Sequence, residues 1–325
     1  MNDSGDSIDF KSLHKSECDR ILVTGGSGLV GNALKQIVSI HSDKSFYFAS
    51  SSDADLRDLS QTELLFQRIN PTHVIHLAAR VGGLFANLND NLGFFVDNMS
   101  INQNVLSCCF KFQIKKCVSM LSTCIFPDQT SYPIDESMIH NGPPHNSNYG
   151  YAYSKRMIEV LSRLYNEKLG EVRFVCVIPT NIFGPHDNFH PQNSHVVASL
   201  IRKAHLVKQN KVDSLIVCGT GKPLRQFIFS IDLAKLLYWI TFNYSDNIPL
   251  ILCSDEEISI LQVAKTVCDC FELPHDKITL DSTFSDGQHK KTANNARLKQ
   301  IAPFFQFTSF SDAMKQTCLW YNKSC

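Results

Sequence analysis

The sequence predicts an α/β fold, a doubly wound parallel sheet with a smaller domain towards the C-terminus. Three observations lead there. Short apolar runs alternate with stretches of helical periodicity through the first half of the chain, the pattern of a parallel sheet with helical crossovers. The first apolar run ends in a glycine-rich turn. Reactive side chains gather where the apolar runs stop, and open parallel sheets bind ligands outside the carboxyl ends of their strands.

Residues 1–19 are rich in Ser, Asp and Lys without periodicity, and a flexible tail is expected there. Arg20-Ile21-Leu22-Val23-Thr24 reads as the first strand and runs into Gly25-Gly26-Ser27-Gly28-Leu29-Val30-Gly31, with helical spacing at Leu29, Ala33, Leu34 and Ile37. Between strand and helix such a turn binds a dinucleotide. Its first glycine makes the bend, the second admits a pyrophosphate, and the third lets the helix lie against the strand. The helix N-terminus adds unpaired N–H donors and partial positive charge. Ser45–Ala49 reads as the second strand, followed by Ser50-Ser51-Ser52 and Asp53. An NAD site places a carboxylate here on the ribose 2′-hydroxyl, whereas the hydroxyls of Ser51 and Ser52 suit a 2′-phosphate. The serine run therefore leans to NADP, and an inward-turned Asp53 is the competing reading.

Thr72 to Ala79 is the third strand, and Leu77-Ala78-Ala79 at its end lets a cofactor lie close. Gly82-Gly83 follows in a loop, and the next helix carries Asn98, Ile101, Val105 and Leu106. Lys116–Leu121 is a fourth strand, closing on Ser122-Thr123-Cys124-Ile125-Phe126-Pro127, and in extended chain Ser122 and Cys124 point to the same side, as a shared site requires. Arg173–Ile178 is a fifth, running into Pro179-Thr180-Asn181-Ile182-Phe183-Gly184-Pro185. This alternation is of the Rossmann type. Between the last two strands lies Asn148-Tyr149-Gly150-Tyr151-Ala152-Tyr153-Ser154-Lys155. In a helix Tyr151 and Lys155 share a face, where a cation lowers the phenol pKa and equips Tyr151 to donate a proton to a carbonyl oxygen. An ordinary amphipathic helix gives the same spacing.

Beyond Gly184 the rhythm loosens. A polar loop from His186 to Ser194 leads into a helix with Val196, Val197, Leu200, Ile201 and Ala204 on one face. Gly219 to Phe227 is turn-rich, Ile228 to Ile240 returns to the sheet through a strand end and helix, and a polar loop spans Asp281 to Lys291. The last helix centres on Ala313 to Tyr321. A dinucleotide-binding domain is expected over 20–182 and 228–257, and a substrate domain over 183–227 and 258–325.

Lys plus Arg and Asp plus Glu both number 31, so no global charge draws the chain to nucleic acid or membrane. Among the 12 cysteines there is no CxxC pair, and Cys108-Cys109 and Cys268-x-Cys270 lack zinc spacing, so no metal is expected. With no apolar leader, the thiols are expected free in a reducing, cytoplasmic setting. Leu233–Ile240 is too short to span a bilayer, and the final Asn322-Lys323-Ser324-Cys325 misplaces its cysteine for prenylation.

With these residues in hand, the chain resembles the extended short-chain dehydrogenase/reductases, and among them the GDP-L-fucose synthase family. The resemblance runs from about Arg20 to the final helix. The glycine turn and Tyr151-x3-Lys155 mark the superfamily. Val81-Gly82-Gly83, Ser122 through Pro127, and Pro179-Thr180-Asn181 through Gly184-Pro185-His186-Asp187-Asn188-Phe189 with His195-Val196 mark the family. It implies NADPH-dependent conversion of GDP-4-keto-6-deoxy-D-mannose to GDP-L-fucose by two epimerisations and a reduction. Cys124 matches the family's base and His195 the acid on the opposite ring face. Ser122 matches the residue that bonds the C4 oxygen beside Tyr151, and Lys155 the one that holds the nicotinamide ribose. Asn98, Pro179, Asn181 and Ile182 complete the expected cofactor contacts. Lys203, Arg225 and Lys291 match cations suited to a diphosphate, with Asn181 and His195 also on the substrate. Cys218 stands where some members carry tryptophan, and Ser27 and the serine run lack the arginines that bacterial relatives use on a 2′-phosphate. The resemblance also implies a homodimer through helices near 92–112 and 150–168, where Phe94, Phe95, Ile101, Ile158, Leu161 and Leu164 supply apolar positions. Two other readings stand beside it. A sugar-nucleotide epimerase or dehydratase with tightly bound cofactor is one, although dehydratases typically carry Asp-Glu where this chain has Thr123-Cys124. A non-catalytic, redox-sensing NADP module is the other, although such proteins tend to lose the Tyr or Lys retained here.

Overall fold

The computed structural model describes residues 19–41, 44–284, 286 and 291–324. The first 18 residues of the expected tail, and most of the 285–290 stretch of the expected polar loop, lie outside the described residues. Asp19, counted with the tail above, belongs to the fold, where its carboxylate meets Lys115 at 3.4 Å and Lys44 at 3.9 Å.

The chain runs through β1 (Arg20–Thr24), α1 (Leu29–His41), β2 (Ser45–Phe48), α2 (Leu59–Ile69), β3 (His73–His76), α3 (Leu84–Asn89), α4 (Asn91–Lys111), β4 (Lys116–Met120), α5 (Tyr149–Leu169) and β5 (Phe174–Pro179). It continues as β6 (Asn181–Phe183), α6 (Val196–Lys208), β7 (Leu215–Cys218), β8 (Leu224–Arg225), β9 (Phe227–Phe229), α7 (Ser230–Asn243) and β10 (Leu250–Leu252). It ends in β11 (Ile258–Ser259), α8 (Ile260–Cys270), β12 (Ile278–Asp281), α9 (Ala296–Ile301) and α10 (Phe310–Ser324).

Six strands form one parallel sheet in the order β10-β5-β4-β3-β1-β2. This is the doubly wound sheet expected from the sequence, with β10 as an additional edge strand. Alternate residues feed opposite faces, as pleated strands require. Leu22, Val74, Cys117, Phe174 and Cys176 pack with Leu65, Val105 and Ile158 of α2, α4 and α5. Ile21, Val23, Ile75, Val118, Val175 and Val177 pack with Leu34 of α1 and Leu233 and Leu237 of α7. Both faces are covered, which explains the near-continuous apolar strands. Leu298 and Ala302, within and just after α9, join this second core. A third core gathers Phe183, Ile201, Leu215, Phe227, Val263 and Met314 from β6, α6, β7, β9, α8 and α10.

The catalytic helix candidate, α5, is tied down at both ends. It stops at Gly170, whose φ of +71° and N–H bond to the Asn166 carbonyl close the last turn. At its start Gly150 crosses α4 so closely that a Cβ would lie 2.0 Å from the Asn91 carbonyl oxygen. That oxygen belongs to backbone, so a larger residue must push the helices apart. Gly150→Ala is therefore expected to lower stability by about 1–3 kcal/mol, read as a lower melting midpoint, and to displace the adjoining Tyr151.

Candidate active site

The glycine turn sits where β1, β2 and β3 end. A Cβ on Gly25, itself at φ +69°, would lie 2.8 Å from the Ala78 nitrogen, and one on Gly26 would strike Phe48. A Cβ on Gly31 would meet the Gly26 backbone at 2.6 Å, so only glycine lets α1 start this close to β1. Gly28 differs. A Cβ there meets nothing nearer than the Gly25 carbonyl at 3.4 Å, so its outer side is open. The first turn of α1 carries no acidic residue, and Asn32 bonds the Ser27 and Gly28 carbonyls at 2.8 and 3.1 Å. An anion fits over this helix start.

At the end of β2, Asp53 accepts bonds from the Tyr47 hydroxyl, the Ser50 N–H at 2.9 Å and the Ser50 hydroxyl at 2.9 Å. Arg68 stands 3.3 Å away. The Tyr47 bond, then Ser50, hold the Asp53 carboxyl down at about 2. Asp53 is therefore ionised, engaged and faced by a guanidinium from α2, fifteen residues on, that no local pattern places there. Ser51 and Ser52 remain exposed beside it.

Asn98 is buried and its amide is spent. Its oxygen accepts the Arg80 N–H at 2.9 Å, and its nitrogen donates to the Arg80 and Phe94 carbonyls at 3.0 and 2.8 Å. It pins the loop after Leu77-Ala78-Ala79 rather than offering donors to a cofactor. Pro179 ends β5, paired with Leu252, and Asn181 and Ile182 lie in β6 alongside β9. Asn181 donates to the Gln226 carbonyl at 2.9 Å.

Ser122, Cys124, Tyr151 and Lys155 come together at the end of β4. The extended chain expected from Ser122 to Cys124 is instead a 3₁₀ turn over Thr123–Ile125, capped by the Ser122 hydroxyl, which accepts from the Cys124 N–H at 3.3 Å. The turn tightens the pair, and Ser122 also bonds the thiol. Arg156 of α5 holds the same turn through the Ile125 carbonyl, 3.0 Å from Nε, and reaches the Gly142 carbonyl at 2.9 Å. Lys155 donates to the Met120 carbonyl at 2.9 Å.

One electrostatic expectation is corrected. Lys155 does not depress Tyr151 in this geometry. Burial, then the charge on Cys124, pushes the Tyr151 phenol up, while burial pulls Lys155 down to about 8. The ammonium is directed at a carbonyl, and desolvation outweighs what charge it retains. Burial likewise pushes the Cys124 thiol up, against the pull of Lys291, Ser122 and Lys155.

His195 is the N-cap residue of α6 and makes no side-chain capping bond. Its side chain is exposed to solvent, and desolvation by the atoms packed around it lowers its pKa. Gly83 abuts its loop, since a Cβ on Gly83 would lie 3.7 Å from the Ser194 carbonyl oxygen. Lys203 donates to the Ile216 carbonyl at 2.7 Å. Arg225 is held by the Leu224 carbonyl at 2.7 Å and faces Tyr132 and Asp286. Asp286 in turn accepts from Thr220 N–H at 2.6 Å and its hydroxyl at 2.7 Å. Cys218 is exposed at the end of β7. Lys291 is not grouped with Lys203. It lines a small cavity with Cys124, Tyr132 and His145. Among the described residues no cluster of metal-ligating side chains occurs.

The NAD dependent epimerase/dehydratase family model matches residues 21–249. A GDP-L-fucose synthase of Dictyostelium discoideum is 53% identical over 93% of this chain and 94% of its own. A probable GDP-L-fucose synthase of Drosophila melanogaster is 49% identical over 93% and 97%. The crystal structure of a GDP-L-fucose synthetase from Naegleria fowleri bound to NADP superposes with a TM-score of 0.89, at 47% identity over 94% and 93% of the two chains. The chain belongs to the GDP-L-fucose synthase family.

Several residues that build this member of the family escaped the sequence reading. His76 is buried between Thr24 Oγ1 at 2.8 Å and Asn102 Oδ1 at 3.1 Å, and Asn102 donates to the Ser154 carbonyl at 3.1 Å. That last bond fixes Asn102 Oδ1 as acceptor, so His76 carries its proton on Nε2 and accepts at Nδ1. The imidazole is neutral, held down at about 3 by burial, and the relay fastens the Tyr151 helix to β1. Nothing local marks His76 as anything but a strand residue. His145 caps the turn before α5 by accepting from the Ser147 N–H at 3.1 Å, and the His-x-Ser spacing was its only signal.

Lys155 ties this site to stability. Its drop from 10.5 to about 8 means that the unfolded chain binds the extra proton between those values, so stability rises with pH across that window. Below pH 8 the full cost applies. In the absence of cofactor, Lys155→Met is expected to stabilise the chain at neutral pH by on the order of 3 kcal/mol, with the gain vanishing towards pH 10, as thermal unfolding across pH would show.

Proposed function

We propose that this chain converts GDP-4-keto-6-deoxy-D-mannose to GDP-L-fucose with NADPH, through Cys124, His195, Ser122, Tyr151 and Lys155. The observation that carries the assignment of roles is the shared site at the end of β4, where a thiol, a serine hydroxyl, a phenol and a buried ammonium converge. The family relationship supports the overall reaction.

A ketone at C4 acidifies the hydrogens on C3 and C5. Ser122 and Tyr151 bond the C4 oxygen and stabilise the negative charge that gathers there when a proton leaves. Cys124 as thiolate takes the proton from one ring face, and His195 as imidazolium returns one to the other. The same pair serves both carbons, once Cys124 has released the first proton to solvent and His195 has regained one from it. When bound, NADPH supplies the hydride that reduces C4. Tyr151 delivers a proton to the C4 oxygen, and Lys155 stabilises the phenolate left behind. The helix start at Gly28 accepts the cofactor's pyrophosphate, and Ser51 and Ser52 its 2′-phosphate. Arg225 with Lys203 meets the substrate diphosphate, whose charge favours the imidazolium of His195 over the neutral form preferred without it.

The protein is proposed to act in the cytoplasm as a homodimer. Among the described residues no helix is long and apolar enough to cross a membrane. Leu92, Phe95 and Val96 on one face of α4, with Leu164 of α5, are exposed apolar side chains, the kind of face a second copy covers.

Mixing the chain with NADPH and the keto sugar is expected to give stoichiometric loss of NADPH absorbance and GDP-L-fucose. Cys124→Ser should slow epimerisation by about 10²-fold or more and divert product to the unepimerised 6-deoxy sugar. No oxidation, with NADPH still bound, would overturn the catalytic reading. Light scattering is expected to return twice the chain mass.

A further inference from the structure

The geometry points to Lys291 as a positioning residue that acts through Cys124, holding its thiol as the thiolate needed for proton abstraction. This goes beyond the diphosphate contact implied by the resemblance, and it rests on the proposed function only for the role of Cys124.

The lysine is delivered to the thiol by backbone far away in sequence. Ile134, ten residues past Cys124, bridges Ala293. Its N–H donates to the Thr292 carbonyl at 2.8 Å, and its carbonyl accepts from the Asn294 N–H at 2.8 Å. The buried Gln226 amide then grips Ala293 on both sides, accepting its N–H at 2.8 Å and donating to its carbonyl at 3.2 Å. Thr292 adds a bond to Glu257. The three residues after Lys291 are thus fixed by partners from three other segments. The lysine side chain enters the cavity formed by Cys124, Phe126, Tyr132, Ile134 and His145.

Cys124 needs such a partner. Burial disfavours its thiolate, and an opposite charge within about 4–6 Å is worth one to three pH units. The charged and titratable groups around it are Tyr151, Lys155 and Arg156 from α5, Asp128, Tyr132 and His145 from the loop before α5, and Lys291. Asp128 stands 4.0 Å from His145 and also faces Lys291, as does Arg225. Arg156 is committed to the Ile125 and Gly142 carbonyls, and Lys155 to Met120. Lys291 exerts the largest stabilising pull on the thiolate, ahead of Ser122 and Lys155. The dependence is mutual, because burial lowers the Lys291 ammonium and the thiolate raises it. In the free chain the thiol releases its proton to solvent, and it takes one from carbon when the sugar is bound.

The test is a pH titration of ultraviolet thiolate absorbance on the substrate-free chain, taken as the difference from its Cys124→Ser variant. Lys291→Met and Lys291→Gln, each with its own Cys124→Ser control, should raise the Cys124 midpoint by about one unit or more, leaving roughly tenfold less thiolate at neutral pH. Lys291→Arg should restore most of it. Solvent deuterium entry at C3 and C5 should fall roughly tenfold in kcat, with a smaller change in KM. An unmoved midpoint accompanied by a raised KM alone would overturn the proposal and leave Lys291 a diphosphate ligand. Two neutral variants are used so that a packing failure in one leaves the other to decide, with NADPH binding reporting the fold. The titration needs no substrate, so failure of the native chain to form GDP-L-fucose would count against the function and not against this coupling.

Discussion

Cys124, Tyr151, Lys155 and Lys291 share a region from which water is largely excluded, and each is driven towards its uncharged form. A lone buried ionisable group resists the charge that proton transfer requires of it. The site answers by grouping them. A thiolate beside an ammonium costs less than either alone, and a hydroxyl bonded to the thiol lowers the cost further. Strong electrostatic coupling is thus a product of the same burial that opposes ionisation, since charges act more strongly on one another where the dielectric is low. Under the proposed mechanism, catalytic competence and structural stability pull in opposite directions at Lys155, whose charged form is the one that burial disfavours.

Grouping charges this closely demands rigid delivery, and buried polar side chains supply it. Asn98 closes on the Arg80 backbone, Asn102 with His76 links β1 to α5, Arg156 secures the turn that carries Cys124, and Gln226 grips Ala293. Each is satisfied by defined partners, so each fixes one geometry and penalises alternatives. The sheet provides the other half of the frame. Its strands end together, and the turn after β4, the glycine turn after β1 and the loop after β3 all emerge on that edge.

Much of this was legible in the sequence because it is local. A strand, a glycine turn and a helix are contiguous, and Tyr151 and Lys155 are one helical turn apart. The strand β10 was not legible, as three residues carry too little pattern to separate from a loop, and only pairing with β5 makes it a strand. Lys291 beside Cys124 was equally hidden, because their meeting depends on a bridge between residues 134 and 293. Reading Ser122 and Cys124 as extended chain failed for a related reason. Alternation holds inside a strand, but this pair lies just beyond the end of β4, where the Ser122 hydroxyl captures the Cys124 N–H and winds the backbone into a 3₁₀ turn. Asn98 shows a third limit. The sequence places it on the helix after Gly82-Gly83 but does not say that its amide is consumed by the Arg80 and Phe94 backbone.

The end of β2 shows how the fold removes an electrostatic conflict. A carboxylate so near the serine run would repel a 2′-phosphate, and sequence alone leaves Asp53 as an argument for NAD. In the fold that carboxylate is bound by the Tyr47 hydroxyl and by Ser50, with Arg68 3.3 Å away. Asp53 thus becomes a structural acceptor that orders the turn after β2, and its charge is offset locally. The guanidinium is half-exposed, so its pull is softened by water, but the hydrogen bonds alone occupy both carboxylate oxygens. Ser51 and Ser52 are left as exposed polar groups of the turn, Ser52 with its hydroxyl 2.7 Å from that of Ser50, and hydroxyls accommodate a phosphate where a free carboxylate cannot. Cofactor preference here follows less from which residues are present than from which of them the fold has already engaged.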